Sequence, residues 1–121
     1  MRLLLDQNLP RPLMKHLIHH RADHAHTLAW GALPNGELVA AADAAGYDVL
    51  LTADQSLSYQ QNLADRRIGL VVISTNPWPE IRAALPQIVE AIDLAQPGAY
   101  LSVPVPQLPR KTRRPPELSQ Q

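Results

Sequence analysis

The chain has 121 residues, of which 45% are hydrophobic and 18% charged, the composition of one globular domain with a single core. It has no cysteine, which excludes disulfides, thiolate metal sites and a cysteine nucleophile, and no apolar run approaches the ~20 residues of a membrane span. Eleven basic residues balance eleven acidic ones, so no whole-molecule positive field attracts nucleic acid. These features predict a cytoplasmic protein without a membrane partner.

The first quarter of the chain predicts a strand, a helix and a second strand. Residues 2–6 contain three consecutive leucines followed by Asp6, which is typical of a strand buried on both faces. A helix is expected over 10–20, because its apolar residues share one face and its prolines suit a first helical turn. Position and weak alternation predict a short strand over 24–28.

The middle of the chain predicts two further helices and two further strands. Asn35 is expected to cap a helix that runs from 36 to 45. The apolar run within 48–52 predicts a third buried strand, and a short helix is expected over 57–64. Residues 70–73 predict the fourth strand.

The last part of the folded chain predicts the clearest amphipathic helix and an edge strand. Apolar residues over 81–92 recur at helical spacing, but Pro86 interrupts them. Because an interior proline costs ~3 kcal/mol, we expect a kink or two helical pieces around Leu85. Residues 100–103 predict a last strand at the sheet edge.

Strands that alternate with helices predict an α/β fold with a mostly parallel sheet of four to five strands. The domain is expected over residues 1–103. Residues 104–121 are rich in proline and predict an extended, solvated tail. If the tail contacts RNA, its nucleic-acid-binding residues are the four basic ones, Arg110, Lys111, Arg113 and Arg114.

Carboxylates follow two of the predicted strands, at the edge where parallel α/β sheets bind ligands. Asp6 ends the first strand, and Asp54 follows the third by two residues. Like charges at one edge repel, and Mg²⁺ relieves that repulsion. Glu37, in a helical first turn, can supply a third oxygen. The alternative is that Asp6 and Asp54 cap turns and that Glu37 interacts with the helix dipole.

Histidines cluster between the first predicted helix and the second strand, at positions 16, 19, 20, 24 and 26. Their spacing matches no H-E-x-x-H or similar zinc template, and His16 and His20, four residues apart, are as well explained by a position on a helix surface. The chain also lacks a G-x-S-x-G nucleophile elbow and a G-x-x-x-x-G-K phosphate loop, so those enzyme classes are disfavoured.

Three motifs together resemble a known family. They are LLLDQNLP at 3–10, NGEL at 35–38 and VLLTAD at 49–54. Their order and spacing resemble the small PIN-like proteins that open with an LLDENLP motif, and the resemblance covers 1–103. It implies a three-layer α/β/α PIN-like fold, acidic residues around Mg²⁺ or Mn²⁺, metal-dependent RNA cleavage, and membership of a toxin–antitoxin module.

The resemblance also implies roles for individual residues. Asp6 matches the first metal-binding acid, Glu37 the helical acid and Asp54 the acid after the third strand; all three are the expected catalytic residues. Asn8 is expected beside them, orienting the metal-bound water or a carboxylate, although a turn-stabilising role before Leu-Pro explains Asn8 equally well.

The sequence departs from the family pattern at three positions. Relatives often have glutamate at the position of Gln7 and aspartate at those of Asn35 and Ser56. Asn35 and Ser56 are therefore expected near the ion without adding charge. Each lost carboxylate weakens a hard cation that depends on charged oxygens, so a weak metal site and slow turnover are expected.

If the site is active, the expected reaction is metal-assisted phosphodiester hydrolysis of RNA. An antitoxin protein is the implied partner, and a homodimer is left open. The first rival function is a non-catalytic PIN-like module that binds RNA or protein. The second is a phosphoacceptor receiver domain, which needs a lysine after its fifth strand, where this chain has none before Lys111.

Overall fold

Five parallel strands form the sheet of this protein in a computed structural model, which describes residues 1–17, 19–55, 63 and 66–106. The strands are β1 (Arg2–Leu5), β2 (Arg21–His24), β3 (Val49–Thr52), β4 (Gly69–Ile73) and β5 (Tyr100–Val103). They lie in the order β2-β1-β3-β4-β5, and every neighbouring pair is parallel. The predicted α/β class and parallel sheet are therefore confirmed.

The helices connect these strands. A 3₁₀ helix (Arg11–His16) follows β1, α1 (Asn35–Ala44) precedes β3, and α2 (Trp78–Ala83) and α3 (Leu85–Leu94) lie between β4 and β5. The break between α2 and α3 confirms the predicted interruption around Leu85. Pro86 has no N–H to continue α2 but suits the first turn of α3. Within the described residues, no helix has the length and apolar character needed to cross a membrane.

The predicted first helix and second strand are wrong in extent. The segment predicted as a helix over 10–20 forms only the six-residue 3₁₀ helix, closed by i→i+3 bonds such as Leu13 N to Pro10 O at 3.2 Å. The helix ends because Leu17 leaves helical geometry, with φ −114° and ψ 36°. The strand predicted over 24–28 lies at β2 instead, pairing Ala22 with Leu3. β2 is an edge strand with three partly or fully exposed residues, so its sequence shows no apolar alternation.

The predicted cap of α1 also needs correction. Pro34 occupies the N-cap position, and Asn35 is the first helical residue, making no side-chain capping bond. The Asn35 side chain instead donates to Asp54. The predicted end of the helix is close to the observed one, because Ala45 is the C-cap and Gly46 follows with φ +87°, a conformation that favours glycine.

The sheet buries alternate residues in two hydrophobic clusters. Leu3 and Leu5 belong to a cluster with residues of the 3₁₀ helix, α2 and α3, whereas Leu4 belongs to a second cluster with residues of α1. Val105, two residues beyond β5, is 8% exposed and joins the first cluster. Burial on both sides explains the continuous apolar runs of β1, β3 and β4. The finer three-layer PIN-like arrangement stays a prediction.

Several predicted features lie outside the described residues. Of the predicted helix over 57–64, only Leu63 is described. Ser56 lies outside, as does the chain after 106, with the basic residues Arg110, Lys111, Arg113 and Arg114.

Candidate functional site

Asp6 and Asp54 lie at the carboxyl edge of the sheet, on neighbouring strands. Asp6 directly follows β1, and its N–H donates to Leu51 O in β3 at 2.8 Å. Asp54 follows β3 by two residues. Because β1 and β3 pair in parallel, with Leu5 opposite Leu51, both residues lie at the same edge of the sheet. Sequence reasoning therefore located this edge correctly.

Thr52 joins the two acids in one hydrogen-bond network. Its Oγ1 donates to Asp6 Oδ2 at 2.8 Å and accepts the Asp54 N–H at 3.0 Å. The residue is fully buried at the end of β3, where an unpartnered hydroxyl would be costly. We call Asp6, Asn8, Asn35, Thr52 and Asp54 the edge network. Sequence reasoning missed Thr52, and the only available signal was a polar residue ending a buried apolar strand.

The Asp6 carboxylate is buried and held in one orientation. Asp6 is 7% exposed. Its Oδ1 accepts the Gln7 N–H at 2.7 Å, and its Oδ2 accepts from Thr52 and, at 3.5 Å, from Asn8 Nδ2. These hydrogen bonds fix the orientation of the carboxylate at the edge.

Asn8 supports both the acid and the end of β3. Its Nδ2 also donates to Thr52 Oγ1 at 3.3 Å, and its Oδ1 accepts the Ala53 N–H at 3.1 Å. Asn8 therefore contacts the Asp6 carboxylate, as expected for a residue that orients it. Its bonds to β3 also fix the turn after β1, so the structural role is present in the same side chain.

Asn35 brings the start of α1 to the same edge. Its Nδ2 donates to Asp54 Oδ2 at 2.9 Å, so the amide orients the second acid of the network. Glu37 lies two residues later and is exposed. Among the described residues, no three His, Cys, Asp or Glu side chains form a group able to hold a metal. The structure thus joins Asp6 and Asp54, whereas Glu37 as a third ligand stays a prediction.

Gln7 lies beside the loop before α1. A Cβ added at Gly31 would meet Gln7 Oε1 at 2.1 Å, so the glutamine side chain runs directly over the glycine backbone. The Gln7 side chain therefore packs against this loop at Gly31.

The oxygen-rich donor set of the edge network fits a hard divalent cation. Mg²⁺ is commonly bound through one or two carboxylates while it retains water and contacts substrate phosphates. Asp6 and Asp54 supply that number. The amide nitrogens of Asn8 and Asn35 donate hydrogen bonds to these acids and add no charge. The residues present are therefore compatible with Mg²⁺ or Mn²⁺ at the carboxyl edge.

The described histidines occupy separate places. The His16 ring lies 5.4 Å from that of Trp78, and His20 Nε2 lies 3.7 Å from Asp93 Oδ1. His24 is buried, with Nδ1 accepting the His26 N–H at 3.2 Å and Nε2 bonded to Leu9 O at 2.9 Å. His16 ends the 3₁₀ helix and is exposed, whereas His20 lies beyond it, so the predicted helix-surface position is correct for His16 and wrong for His20.

The carboxyl edge continues from the network to the ends of β4 and β5. Gln55, next to Asp54, donates from Nε2 to Ser74 O at 3.4 Å. Ser74 follows β4, and its Oγ accepts the Val105 N–H at 2.7 Å. Chain segments after three neighbouring strands are thereby connected along one edge.

Comparison with known proteins adds no relative to this description. No protein-family model, no curated protein and no solved structure matches the chain. The resemblance to PIN-like proteins therefore stays a prediction from the three sequence motifs.

Proposed function

We propose that this chain is a Mg²⁺- or Mn²⁺-dependent endoribonuclease of the PIN type, a cytoplasmic component of a toxin–antitoxin module. The observation that carries the proposal is the connection of Asp6 and Asp54 through Thr52 at the carboxyl edge of a parallel sheet. Ligand sites of such sheets lie at this edge. An antitoxin partner and a homodimer stay predictions.

The edge network supplies the positioning that the reaction needs. Asp6 and Asp54 would hold the ion, which when bound lowers the pKa of a water molecule and offsets phosphate charge. Thr52 and Asn8 fix the Asp6 carboxylate, and Asn35 fixes that of Asp54. Fixed ligands keep the reacting groups aligned, which contributes directly to rate. Glu37, exposed in the first turn of α1, is the proposed third acid.

A non-catalytic PIN-like binding module is the second candidate function. The observation that favours it is that protein donors already engage both acids: Asp6 accepts from three groups, and Asn35 donates to Asp54. A carboxylate can have a purely structural role when its charge is satisfied in this way. An amide at position 35 also provides less charge than the aspartate of the resembled family.

Cleavage of a mixed RNA pool during an Mn²⁺ titration separates the two candidates. The nuclease proposal expects cleavage by wild type, its loss in Asp54→Asn, and its retention in the matched control Asp93→Asn, an exposed acid on α3. Cleavage that survives in Asp54→Asn would contradict the assigned site. RNA binding without cleavage at any Mn²⁺ concentration would favour the binding module.

A further inference from the structure

We propose that a surface patch beside the edge network binds single-stranded RNA, with Trp78 stacking on a base and exposed cations contacting the flanking phosphates. The patch consists of Arg11, Lys15 and His16 on the 3₁₀ helix and of Trp78 and Arg82 on α2, and we call it the aromatic–basic patch. The inference rests on the proposed function for the identity of the ligand as RNA. It adds residues that hold the strand outside the two acids.

Trp78 is held rigidly at the start of α2, with part of its ring accessible. Pro77 and Pro79 flank it as the N-cap and a first-turn residue, where their fixed φ angles suit the helix start. The indole is half-buried against the first hydrophobic cluster, and it also lines a surface cleft of about 450 Å³ together with Pro79, Arg82 and Ala83. A ring that is ordered before binding can stack on a base at little entropic cost.

The 3₁₀ helix adds a second ring and two cations to this surface. The His16 ring lies 5.4 Å from the Trp78 ring, at an interplanar angle of 38°. Arg11, Lys15 and His16 are all exposed. Residues 7–22 contain no acid, so this stretch of sequence carries only positive charge.

Acids of the described chain do not neutralise the cations of the patch. Within residues 1–17, 19–55, 63 and 66–106, none of Arg11, Lys15 and Arg82 forms an ion pair. Glu80 is the only acid in the sequence of α2, and it accepts a hydrogen bond from Thr75 Oγ1 at 2.8 Å. Cations beside an aromatic stacking surface are the combination by which proteins hold single-stranded nucleic acid, so the patch fits RNA.

The patch adjoins the edge network. A turn closed by Leu9 N–H and Asp6 O at 3.0 Å follows β1, and Arg11 comes two residues later, so its Cα lies within ~15 Å of that of Asp6. The bond from Thr75 to Glu80 connects the first turn of α2 to the segment after β4, the neighbour of β3. A strand bound at the patch can therefore extend to the acids at the same edge.

The two tryptophans of the chain allow a direct test of stacking. Trp30 packs on the second hydrophobic cluster, with its ring 6.3 Å from that of Tyr47, whereas Trp78 packs on the first. Trp30→Phe leaves Trp78 as the only tryptophan, and Trp78→Phe leaves Trp30. A 20-nucleotide single-stranded RNA, added in EDTA, should quench the fluorescence of Trp30→Phe and leave that of Trp78→Phe unchanged. Equal quenching in both variants, or quenching in neither, would overturn the patch.

Affinity measurements test the contribution of the ring. Trp78→Leu retains an apolar side chain but removes the stacking surface, so it should weaken binding of the same RNA at least about fivefold. The matched control, Trp30→Leu, should bind with the wild-type affinity. Melting temperatures show whether each variant is folded, and the phenylalanine variants test stacking even if a leucine variant does not fold. Equal affinities of folded Trp78→Leu and wild type would contradict the stacking contact.

The salt dependence of binding tests the cations. Lys15→Gln with Arg82→Gln should lower the slope of log K against log salt by about 1.4, because each phosphate contact on a single strand accounts for about 0.7. The matched control is Arg21→Gln with Arg67→Gln, two exposed cations on the amino side of the sheet, and it should keep the wild-type slope. An equal fall in both double variants, or in neither, would overturn the phosphate contacts.

These binding results are independent of catalysis, because EDTA removes the ion. If RNA quenches Trp78 and no variant cleaves RNA, the nuclease proposal fails and the patch stands. If RNA is cleaved without quenching Trp78, the nuclease proposal stands and the patch fails. Trp78 emission that changes with protein concentration and not with RNA would also overturn the patch, and would indicate an interface between copies of the chain.

Discussion

Thr52 Oγ1 donates a hydrogen bond to Asp6 Oδ2 at 2.8 Å, while the same oxygen accepts the N–H of Asp54 at 3.0 Å. One fully buried hydroxyl thus fixes the side chain of one acid and the backbone of the other. Because these bonds join the ends of β1 and β3, the stability of the sheet and the arrangement of the candidate site depend on the same side chain.

Thr52→Val is expected to destabilise the fold. Valine retains the shape of threonine but leaves the Asp6 carboxylate short of a buried donor, at a cost of about 1–3 kcal/mol. Urea denaturation measures the change in the free energy of unfolding. Thr75→Val is the matched control, because the Thr75 hydroxyl also donates to a carboxylate, that of Glu80 at 2.8 Å, but at a more exposed position. A cost no larger than that of the control would contradict the importance of the edge network.

Mn²⁺ is expected to stabilise the wild-type protein. An ion that binds only the folded state raises the free energy of unfolding. The increase grows with the logarithm of the ion concentration relative to Kd and is about 2.7 kcal/mol at 100 times Kd. Mn²⁺ should raise the melting temperature of wild type and of the control Asp93→Asn. It should leave the melting temperature of Asp54→Asn unchanged. Equal shifts in all three proteins would place the ion elsewhere.

The strands that are buried on both sides could be predicted from the sequence, whereas elements that bury little could not. β1, β3 and β4 were predicted within one residue at each end, because strands covered on both sides contain continuous apolar runs. β2 was misplaced because an edge strand buries little; only His24 is buried in it. The 3₁₀ helix after β1 was overextended because an apolar stripe does not show where the chain leaves helical geometry, which happens at Leu17.

The part of the candidate site that follows from the parallel strand order was predictable from the sequence. Acids after neighbouring parallel strands must share an edge, so Asp6 and Asp54 were placed correctly. The contact between Asn35 and Asp54 depends on where α1 begins relative to β3, which is a tertiary relationship without a local sequence pattern. Thr52 was missed for a similar reason, since its bond to Asp6, which is 46 residues away on the neighbouring strand, has no local sequence pattern.

Stability should fall in strong alkali through Tyr47. Burial, followed by the hydrogen bond to Asp23 and the charge of that carboxylate, raises the pKa of Tyr47 to about 12 from 10.0. Because the folded state holds this proton more tightly than the unfolded state, the stabilisation is complete below pH 10 and is lost as pH rises from about 10 to 12. Urea denaturation measured across this pH range should show that the free energy of unfolding falls more steeply with pH for wild type than for Tyr47→Phe. Tyr100→Phe, a half-buried control, should follow wild type.

The domain should end structurally at Val105. A chain truncated after Pro106 is expected to unfold with the wild-type free energy. Truncation after Val103 removes a buried valine, worth about 1.5–3 kcal/mol, and the bond from its N–H to Ser74 Oγ, worth roughly another 1 kcal/mol. Urea denaturation of the two truncated chains measures the difference. A large fall in the free energy of unfolding of the chain truncated after Pro106 would show that the tail contributes to folding.

Asn35→Asp restores an acid of the resembled family and separates a weakened metal site from a structural one. In the wild type, Asn35 Nδ2 donates to Asp54 Oδ2 at 2.9 Å. An aspartate there replaces a donor with a second negative charge, which should lower the free energy of unfolding by about 1.5–3 kcal/mol without metal. A cation at the edge offsets that repulsion, so Mn²⁺ should restore most of the loss, bind more tightly than to wild type, and increase RNA cleavage in parallel.

The control for that substitution is Asn76→Asp, which adds the same charge at an exposed position just after Ser74. It should change neither the free energy of unfolding by more than about 0.5 kcal/mol nor the affinity for Mn²⁺. Isothermal titration with Mn²⁺ measures the affinity, and cleavage of the RNA pool measures the activity. If Asn35→Asp destabilises the fold and Mn²⁺ restores nothing, the amide at position 35 belongs to a network that holds the two acids for structure. The binding-module function would then be favoured over the nuclease. An ion bound by Asp6 and Asp54 should bind more tightly when position 35, which contacts Asp54, also carries a carboxylate.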